Sequence, residues 1–400
     1  MLSVEAARAR ILGGLRPTAA ESVALDASWG RVTARPVMAR LSNPPADISA
    51  MDGYALRAAD AAAGRVLRVI GEAPAGHPFS GSVGPGECVR LFTGSLMPDG
   101  SDCVLIQENA SRDGARMTVQ AGVAAAKHVR PAGQDFACSD LVLPAGRRMG
   151  ARDVGVAAAA NHAWIACHRR PVIALLATGD EIALPGEPIP PGGIANSNTP
   201  MLAAAIRAAG GQALMLPPAP DDISAIAASV EGLRCDMLVT VGGASVGDHD
   251  LVQAGLAERG FSMDFWKIAM RPGKPLMHGR LGDIPVLGLP GNPVSALVCA
   301  LLFLLPAIAR MSGDQAESLE VDRATLAAGV PENDQRADHL RASLTRDHQG
   351  GHLVTPFPRQ DSGMLRRLAV SEALILRPPH TPALAAGDTV DIIRLDRFGL

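Results

Sequence analysis

Aromatic side chains make up only 3% of this 400-residue chain, with a single tyrosine, Tyr54, so its cores must be built from alanine, valine and leucine within a hydrophobic content of 48%. Alanine-rich runs such as Ala157 to Ala160 then read as packed helix and not as disorder. Cysteine is equally sparse. Cys88, Cys103, Cys138, Cys167, Cys235 and Cys299 form no C-x-x-C pair, and only Cys167 has an adjacent histidine, His168. That spacing argues against structural zinc and suits small core residues in a reducing cytosol. No block of like charge appears, and a formal net charge of -3 gives no bulk attraction to nucleic acid, so a polyanionic ligand has to be met by local basic groups. Long apolar runs are missing too: the most apolar stretch, Leu297 to Leu305, falls far short of the roughly 20 residues a membrane span needs. Met1 to Ala20 carries Glu5, Arg8, Arg10 and Arg16 among its apolar positions, the pattern of an amphipathic helix and not of a signal peptide. A cytoplasmic protein with no membrane and no nucleic-acid partner is expected. Internal repeats and low-complexity tracts are absent.

Four hundred residues is long for one core and suggests two to four domains. Residues 46–137 show short strand signals with frequent glycine and proline and no long helical period, a β-rich module marked by Pro44-Pro45 at entry and Pro131 near its exit. Between Leu141 and Cys167 the pattern is strand, helix, strand. Residues 169–316 alternate strands with helices, including Pro200 to Ala209 and Ile223 to Leu233, the signature of a doubly wound α/β sheet. Residues 317–400 return to short strands and turns and are expected to form a small β-barrel.

The most informative segment is DMLVTVGGASVGDHD, Asp236 to Asp250. An apolar strand, Met237 to Val241, breaks into a turn with glycines at Gly242, Gly243 and Gly247, Ser245 between them, and then Asp248 and Asp250. Glycine allows positive φ and close approach of backbone N–H groups to a ligand, and the aspartates supply hard oxygens suited to Mg²⁺. The plain alternative is a solvated acidic loop, and His249, lying between the aspartates, reads as a neighbour and not as a base.

Two further strand ends repeat the plan. Pro171 to Ile182 runs as a strand into Thr178-Gly179-Asp180-Glu181. Ile284 to Leu289 runs into Pro290-Gly291-Asn292-Pro293, where Asn292 suits a helix N-cap and Pro293 the first helical position. That helix start is a ready-made anion site. Between them lies a Pro-Gly turn carrying Arg271, Gly273 and Lys274. In an open α/β sheet, strand ends at one edge share a crevice, so these turns can converge. The four carboxylates alone would repel a phosphate; with a divalent ion and the two cations beside them they can hold one.

The combination of SAMDGYA (Ser49 to Ala55), FTGSLMPDGSDCVLIQE (Phe92 to Glu108), RPAGQDF (Arg130 to Phe136), TGDE, NSN (Asn196 to Asn198), GGASVGDHD, RPGKP and LPGNP resembles the molybdopterin molybdotransferases of the MoeA type, in family order across almost the whole chain. The resemblance implies a multidomain α/β plus β fold, with residues 1–45 and 138–168, including the N-terminal helix, forming an elongated stem beside the β-rich module, the molybdopterin-binding α/β domain and the C-terminal barrel. It implies the last step of molybdenum cofactor synthesis, in which adenylylated molybdopterin and molybdate give the cofactor and AMP with Mg²⁺ assisting. Asp52, Thr93, Gly94 and Asp135 match family site residues that approach the α/β domain of a second subunit, which implies a homodimer. From the residues alone, Asp52 is a turn carboxylate beside an aromatic anchor, Thr93-Gly94 a simple turn, and Asp135 a surface group paired with Arg130.

On this reading Asp248 or Asp250, with Glu181, holds Mg²⁺; Lys274 holds the phosphates or molybdate; Arg271 is a bidentate oxyanion clamp. Asp52 and Asp135 orient the substrate or activate water. The substrate's own sulfurs are the molybdenum ligands, so no cysteine cluster is needed. The preceding adenylyltransferase and apo-molybdoenzymes are further partners the resemblance suggests. Two departures stand out: Arg271 where lysine is commoner, and Gln134-Asp135 for a Glu-Asp pair. The alternatives are a non-catalytic molybdopterin-binding scaffold or carrier, as in the gephyrin branch, the small adenylyltransferase, and a nucleotide hydrolase on a related α/β domain. SAMDGYA and FTGSLMPDG disfavour the last two.

Overall fold

A computed structural model describes residues 1–242, 251–315, 319–347 and 350–399. The α/β domain is organised by a six-stranded sheet in the order Gln212–Met215, Val172–Ala177, Met237–Val241, Ile284–Leu289, Met277–Leu281, Phe261–Trp266. The first four strands are parallel and the last two antiparallel. Central strands of such a sheet are covered on both faces, so both side-chain sets must be apolar. Leu175, Val239 and Leu287 accordingly pack on one face against Leu202, Ile206 and the helices of residues 293–311, while Ala174, Leu238 and Val286 pack on the other against Ile226, Val252 and Leu256.

The helix after the LPGNP turn runs past the expected end near Leu305, as Pro293–Cys299, a wider π turn at Ala300–Leu304 and Leu305–Met311. Pro306 has no N–H to donate and would ordinarily break a helix interior; the wider turn before it admits it at the start of a fresh α-helical segment. At 19 residues this helix is long and apolar enough to cross a membrane by composition, but 83% of its apolar window is buried in the protein, so it is the core helix of the α/β domain. The apolar element is thus longer than the expected Leu297–Leu305, and its burial, not its length, marks it as a core helix.

The N-terminal helix Val4–Gly13 begins at Ser3, whose hydroxyl accepts from Ala6 N, and it buries Val4, Ala7 and Ile11. These join the α/β core beside Ile268 and Ile308, and Ala269 N donates to Leu2 O at 2.8 Å. The helix therefore packs on the α/β domain, a correction to its expected place in the stem; its apolar stripe found the larger hydrophobic surface. The stem core is made by Val23, Val37, Leu143, Met149, Ala157, Ile165 and Cys167, with Ala20–Ala24 pairing antiparallel to Trp164–His168 and Val37–Met38 to Leu141–Leu143.

The β-rich module is a six-stranded sheet ordered Cys103–Ile106, Gly53–Leu56, Glu87–Leu91, Val66–Ala73, Arg116–Val119, Ala110–Asp113. At the C-terminus, Ala337–Arg346, His352–Pro356, Asp322–Leu326, Thr389–Arg394 and Ala373–Arg377 close on one another as a five-stranded barrel around Leu326, Val354, Ile375 and Ile392. Closure removes the free edges that a five-stranded sheet would expose. A sixth, two-residue strand, Met270–Arg271, comes from the α/β domain and pairs in parallel with Ala337 and Asp338.

That junction is charged, and buried on its barrel side. Asp338, 1% exposed, accepts from Arg271 Nε at 2.8 Å and Nη2 at 2.9 Å, and its other near cation is the buried Arg377 at 3.7 Å. Next to it, burial pulls the His339 imidazole down to about 4. The native state thus refuses a proton that the unfolded chain accepts below its ordinary value near 6.5, so this histidine contributes stability that is fully present above that pH and is lost as pH falls toward 4. The loss should approach about 3 kcal/mol, from 1.36 kcal/mol per unit. Guanidinium titrations at pH 7 and pH 4.5 should show a steeper fall for the wild type than for His339→Gln; equal slopes would remove this histidine from the acid sensitivity of the fold.

Candidate functional site

Three of the expected turns meet at the carboxyl edge of the parallel strands. Thr178 N donates to Val241 O at 3.2 Å and Gly242 N to Leu289 O at 3.3 Å, so each strand end is tied to the next. Gly242 has φ of 102°, and a Cβ there would lie 2.7 Å from Thr178 O; one at Gly291 would lie 3.6 Å from the Gly242 Cα. The first of these positions requires glycine on both counts, conformation and space. Asn198, at the start of the helix Asn198–Ala208, donates from Nδ2 to Gly291 O at 2.6 Å, while its Oδ1 and the Thr178 hydroxyl are buried with no hydrogen-bond partner among the described residues. Buried polar atoms are rarely left so. A hydroxyl that can donate or accept and an amide oxygen that accepts would both be completed by a ligand or water.

Around this contact Asp180 Oδ1 accepts from Asp221 N at 3.0 Å, which fixes it as a turn carboxylate. Glu181 is exposed and its side chain makes no hydrogen bond or ion pair among the described residues, though its carboxylate folds over Gly179. At Asn292 the chain takes up the N-cap conformation without a side-chain cap bond, Pro293 has no N–H, and Val294 N donates to Ser362 O at 3.1 Å. The helix start therefore offers fewer free N–H groups to an anion than its sequence suggests. Gly243, Ser245, Gly247, Asp248 and Asp250 lie outside the described residues.

The RPGKP turn packs on the same helix. A Cβ at Gly273, whose φ is 106°, would stand 2.5 Å from the buried Cys299 Sγ, one to two turns into that helix. Lys274 is exposed and unpaired among the described residues, as a ligand-seeking cation should be. Arg271 is different: the bidentate face expected to clamp an oxyanion is directed at Asp338. It holds the C-terminal barrel to the α/β domain. Lys267, with φ of 74°, brings a further ammonium to this region, 3.8 Å over the Trp266 ring.

The carboxylates of the β-rich module form a second group. Asp52 Oδ1 accepts from Thr93 N at 2.7 Å and Thr93 Oγ1 at 2.9 Å, and these bonds, the backbone one foremost, hold its carboxyl below the usual range. Gly94, with φ of 86°, turns the chain behind it. Asp135 meets Asn43 Nδ2 at 3.2 Å in place of the expected Arg130. Among the described residues no hydrogen bond or ion pair links residues 46–137 to the α/β domain, so within one chain the two groups stay separate. No cluster of three metal-ligating side chains occurs among the described residues. The Glu181 carboxylate is a hard oxygen ligand of the kind Mg²⁺ takes, far short of a full coordination sphere by itself.

A doubly wound sheet with glycine turns and an unpaired lysine and glutamate at its carboxyl edge, joined to a closed barrel and to a separate carboxylate-bearing sheet, defines a multidomain α/β protein built to hold an anionic ligand. Family models extend the assignment: residues 2–161 match the MoeA N-terminal region (domain I and II), residues 174–310 a probable molybdopterin binding domain, and residues 323–395 the MoeA C-terminal region (domain IV). The chain is 30% identical to a molybdopterin molybdenumtransferase of Haemophilus influenzae, covering 98% of both, and 32% identical to molybdopterin molybdenumtransferase 2 of Mycobacterium tuberculosis, covering 93% of this chain and 94% of that one. Its structure matches a molybdopterin biosynthesis MoeA protein from Pyrococcus horikosii with a TM-score of 0.86 at 27% identity, over 98% of this chain and 99% of the other. The chain belongs to the MoeA family.

Sequence reasoning placed the three turns but left out Asn198, although NSN was among its motifs, and Ser362, whose contact comes from a barrel loop with no local signal. The geometry also separates architecture from chemistry within one pentapeptide. Gly273→Ala should destabilise the protein by about 2 kcal/mol or more, from positive φ and the clash with Cys299. Lys274→Ala should stay within about 0.5 kcal/mol of wild type. Denaturant titration of the two variants checks this, and equal stabilities would refute the packing account of the turn.

Proposed function

We propose that this protein transfers molybdenum from molybdate to adenylylated molybdopterin, releasing AMP. The observation that carries this reading is the contact of the Thr178, Gly242 and Gly291 turns at the sheet edge, inside the segment matched by the molybdopterin-binding model, with the Lys274 and Glu181 side chains unpaired among the described residues. In the reaction water cleaves the anhydride to the pterin phosphate and AMP, and one molybdate oxygen leaves as water with the two thiol protons as the two dithiolene sulfurs bond the metal. Glycine at the edge lets the main chain approach the phosphates, the Thr178 hydroxyl donates to an oxyanion, Asn198 Oδ1 accepts from a ligand N–H, and Lys274 balances the charge of phosphate or oxyanion. Mg²⁺, held by Glu181 with Asp248 or Asp250, would neutralise charge on the bridging phosphates.

Asp52 and Asp135 are assigned to the same reaction from a second subunit. Two features support this: among the described residues each has a carboxylate oxygen without a partner, and neither group is bonded to its own α/β domain. A homodimer with a composite site follows, cytoplasmic, receiving its substrate from an adenylyltransferase and passing its product to apo-molybdoenzymes. Residues 1–45 and 138–168, 46–137, 169–316 and 317–400 are the domain divisions we adopt, with the N-terminal helix reassigned to the third.

The test is AMP release from adenylylated molybdopterin by the purified protein with Mg²⁺, with and without molybdate. Release should depend on molybdate and fall by about a hundredfold or more in Lys274→Ala and in Asp250→Ala, as for loss of one electrostatic stabiliser. Normal substrate binding without release under any condition would instead indicate a scaffold or carrier.

A further inference from the structure

Arg90 lies at the heart of the Asp52 region without belonging to any of its motifs. It is on Glu87–Leu91, opposite Tyr54 in the antiparallel pair, while its neighbours Val89 and Leu91 point into the core. Its guanidinium carbon is 5.1 Å from the Tyr54 ring centroid and 5.0 Å from that of Phe92, so the planar group is held by two aromatic rings. In a chain with so few aromatics, two on one arginine is a marked concentration. Nη1 donates to Gly53 O at 3.1 Å and Nη2 to Gln107 Oε1 at 2.7 Å.

Each of these partners adjoins Asp52 or its hydrogen-bond donor. Gly53 follows Asp52 in the chain, Phe92 precedes Thr93, and Gln107 N donates to the Asp52 carbonyl at 3.0 Å. Thr93 in turn gives both its donors to Asp52 Oδ1, which leaves Oδ2 with no protein partner among the described residues. One guanidinium thus ties together the three short segments that fix this carboxylate. Tyr54 and Phe92 alone would give a core contact; the two directed hydrogen bonds add a fixed orientation.

We infer that Arg90 is a positioning residue for the molybdenum-transfer site, holding the Asp52 carboxylate in place with Oδ2 presented to the substrate. It touches no reacting atom in this scheme and acts through Asp52, so the inference rests on the proposed function for the role of Asp52, and on geometry alone for the positioning. The positive field of Arg90 also favours the ionised carboxylate, adding to the Thr93 hydrogen bonds. Lysine in its place would keep the charge but lose the stacked plane and the two-pronged contact.

Two readouts on the full chain test this. Carboxyl ¹³C NMR with labelled aspartate, assigned by Asp52→Asn, should show the Asp52 titration moving to higher pH in Arg90→Gln, with less movement in Arg90→Lys, and the Thr93 amide signal shifting in both. An unmoved titration and amide would overturn the inference whatever the activity. In the AMP-release assay Arg90→Gln should lower kcat by roughly ten- to a hundredfold with KM little changed, in keeping with misplacement of one group. The same substitution should add little in an Asp52→Asn background; an equal loss there would show that Arg90 acts independently and would also overturn it. Should Asp52→Asn itself retain full activity, the role given to Asp52 in the reaction fails, and the NMR result still decides whether Arg90 positions it.

Discussion

Everything at the carboxyl edge of the α/β sheet depends on how closely three main-chain turns approach one another. Strands in a parallel sheet deliver their ends side by side, but the spacing leaves room for a ligand only where the turns themselves stay thin. Gly242 provides that thinness: any side chain there would meet the Thr178 carbonyl. Asn198 then bridges from a neighbouring helix to the Gly291 carbonyl, which locks the third turn against the first two. The Thr178 hydroxyl and Asn198 Oδ1 are buried at these turns with no partner among the described residues.

The second constraint is the insertion of Met270–Arg271 into the C-terminal barrel. A strand of only two residues gains little from its ladder bonds, and the bidentate pair of the exposed Arg271 with the buried Asp338, with Arg377 behind it, supplies the specificity of the joint. The loop that presents Lys274 is therefore anchored on one side by an ion pair into the barrel and on the other by Gly273 against Cys299. A second barrel element, Ser362, reaches the start of the long helix. The barrel thus acts on the site by holding its edges, although it contributes none of the turns.

Much of this was legible in the chain itself. The Met237–Val241 and Ile284–Leu289 strands emerged with the bounds expected from their apolar runs, because buried parallel strands leave an unbroken signature. The Pro-Gly turns and the helix start at Pro293 were equally plain, since glycine and proline act locally. The partner of Arg271 was not: its guanidinium was expected to clamp an oxyanion, and the carboxylate that engages it lies 67 residues away on another domain. For the same reason the partner of Asp135 was misassigned to Arg130, which is close in sequence, when Asn43 is close in space.

The sequence by itself determined the alternation of elements, the family and the residues that bend the chain at the strand ends, because each of these is written in local periodicity or in the steric properties of glycine and proline. Tertiary structure decided which polar groups are left for a ligand. Asp180, Arg271 and the first N–H of the long helix find protein partners, while Glu181, Lys274, the Thr178 hydroxyl and Asn198 Oδ1 find none among the described residues. The destination of the N-terminal helix was settled in the same way, by which apolar surface lay within reach once the sheet had formed. Hydrogen bonds and burial are satisfied between residues brought together by the fold, and no local pattern records with whom.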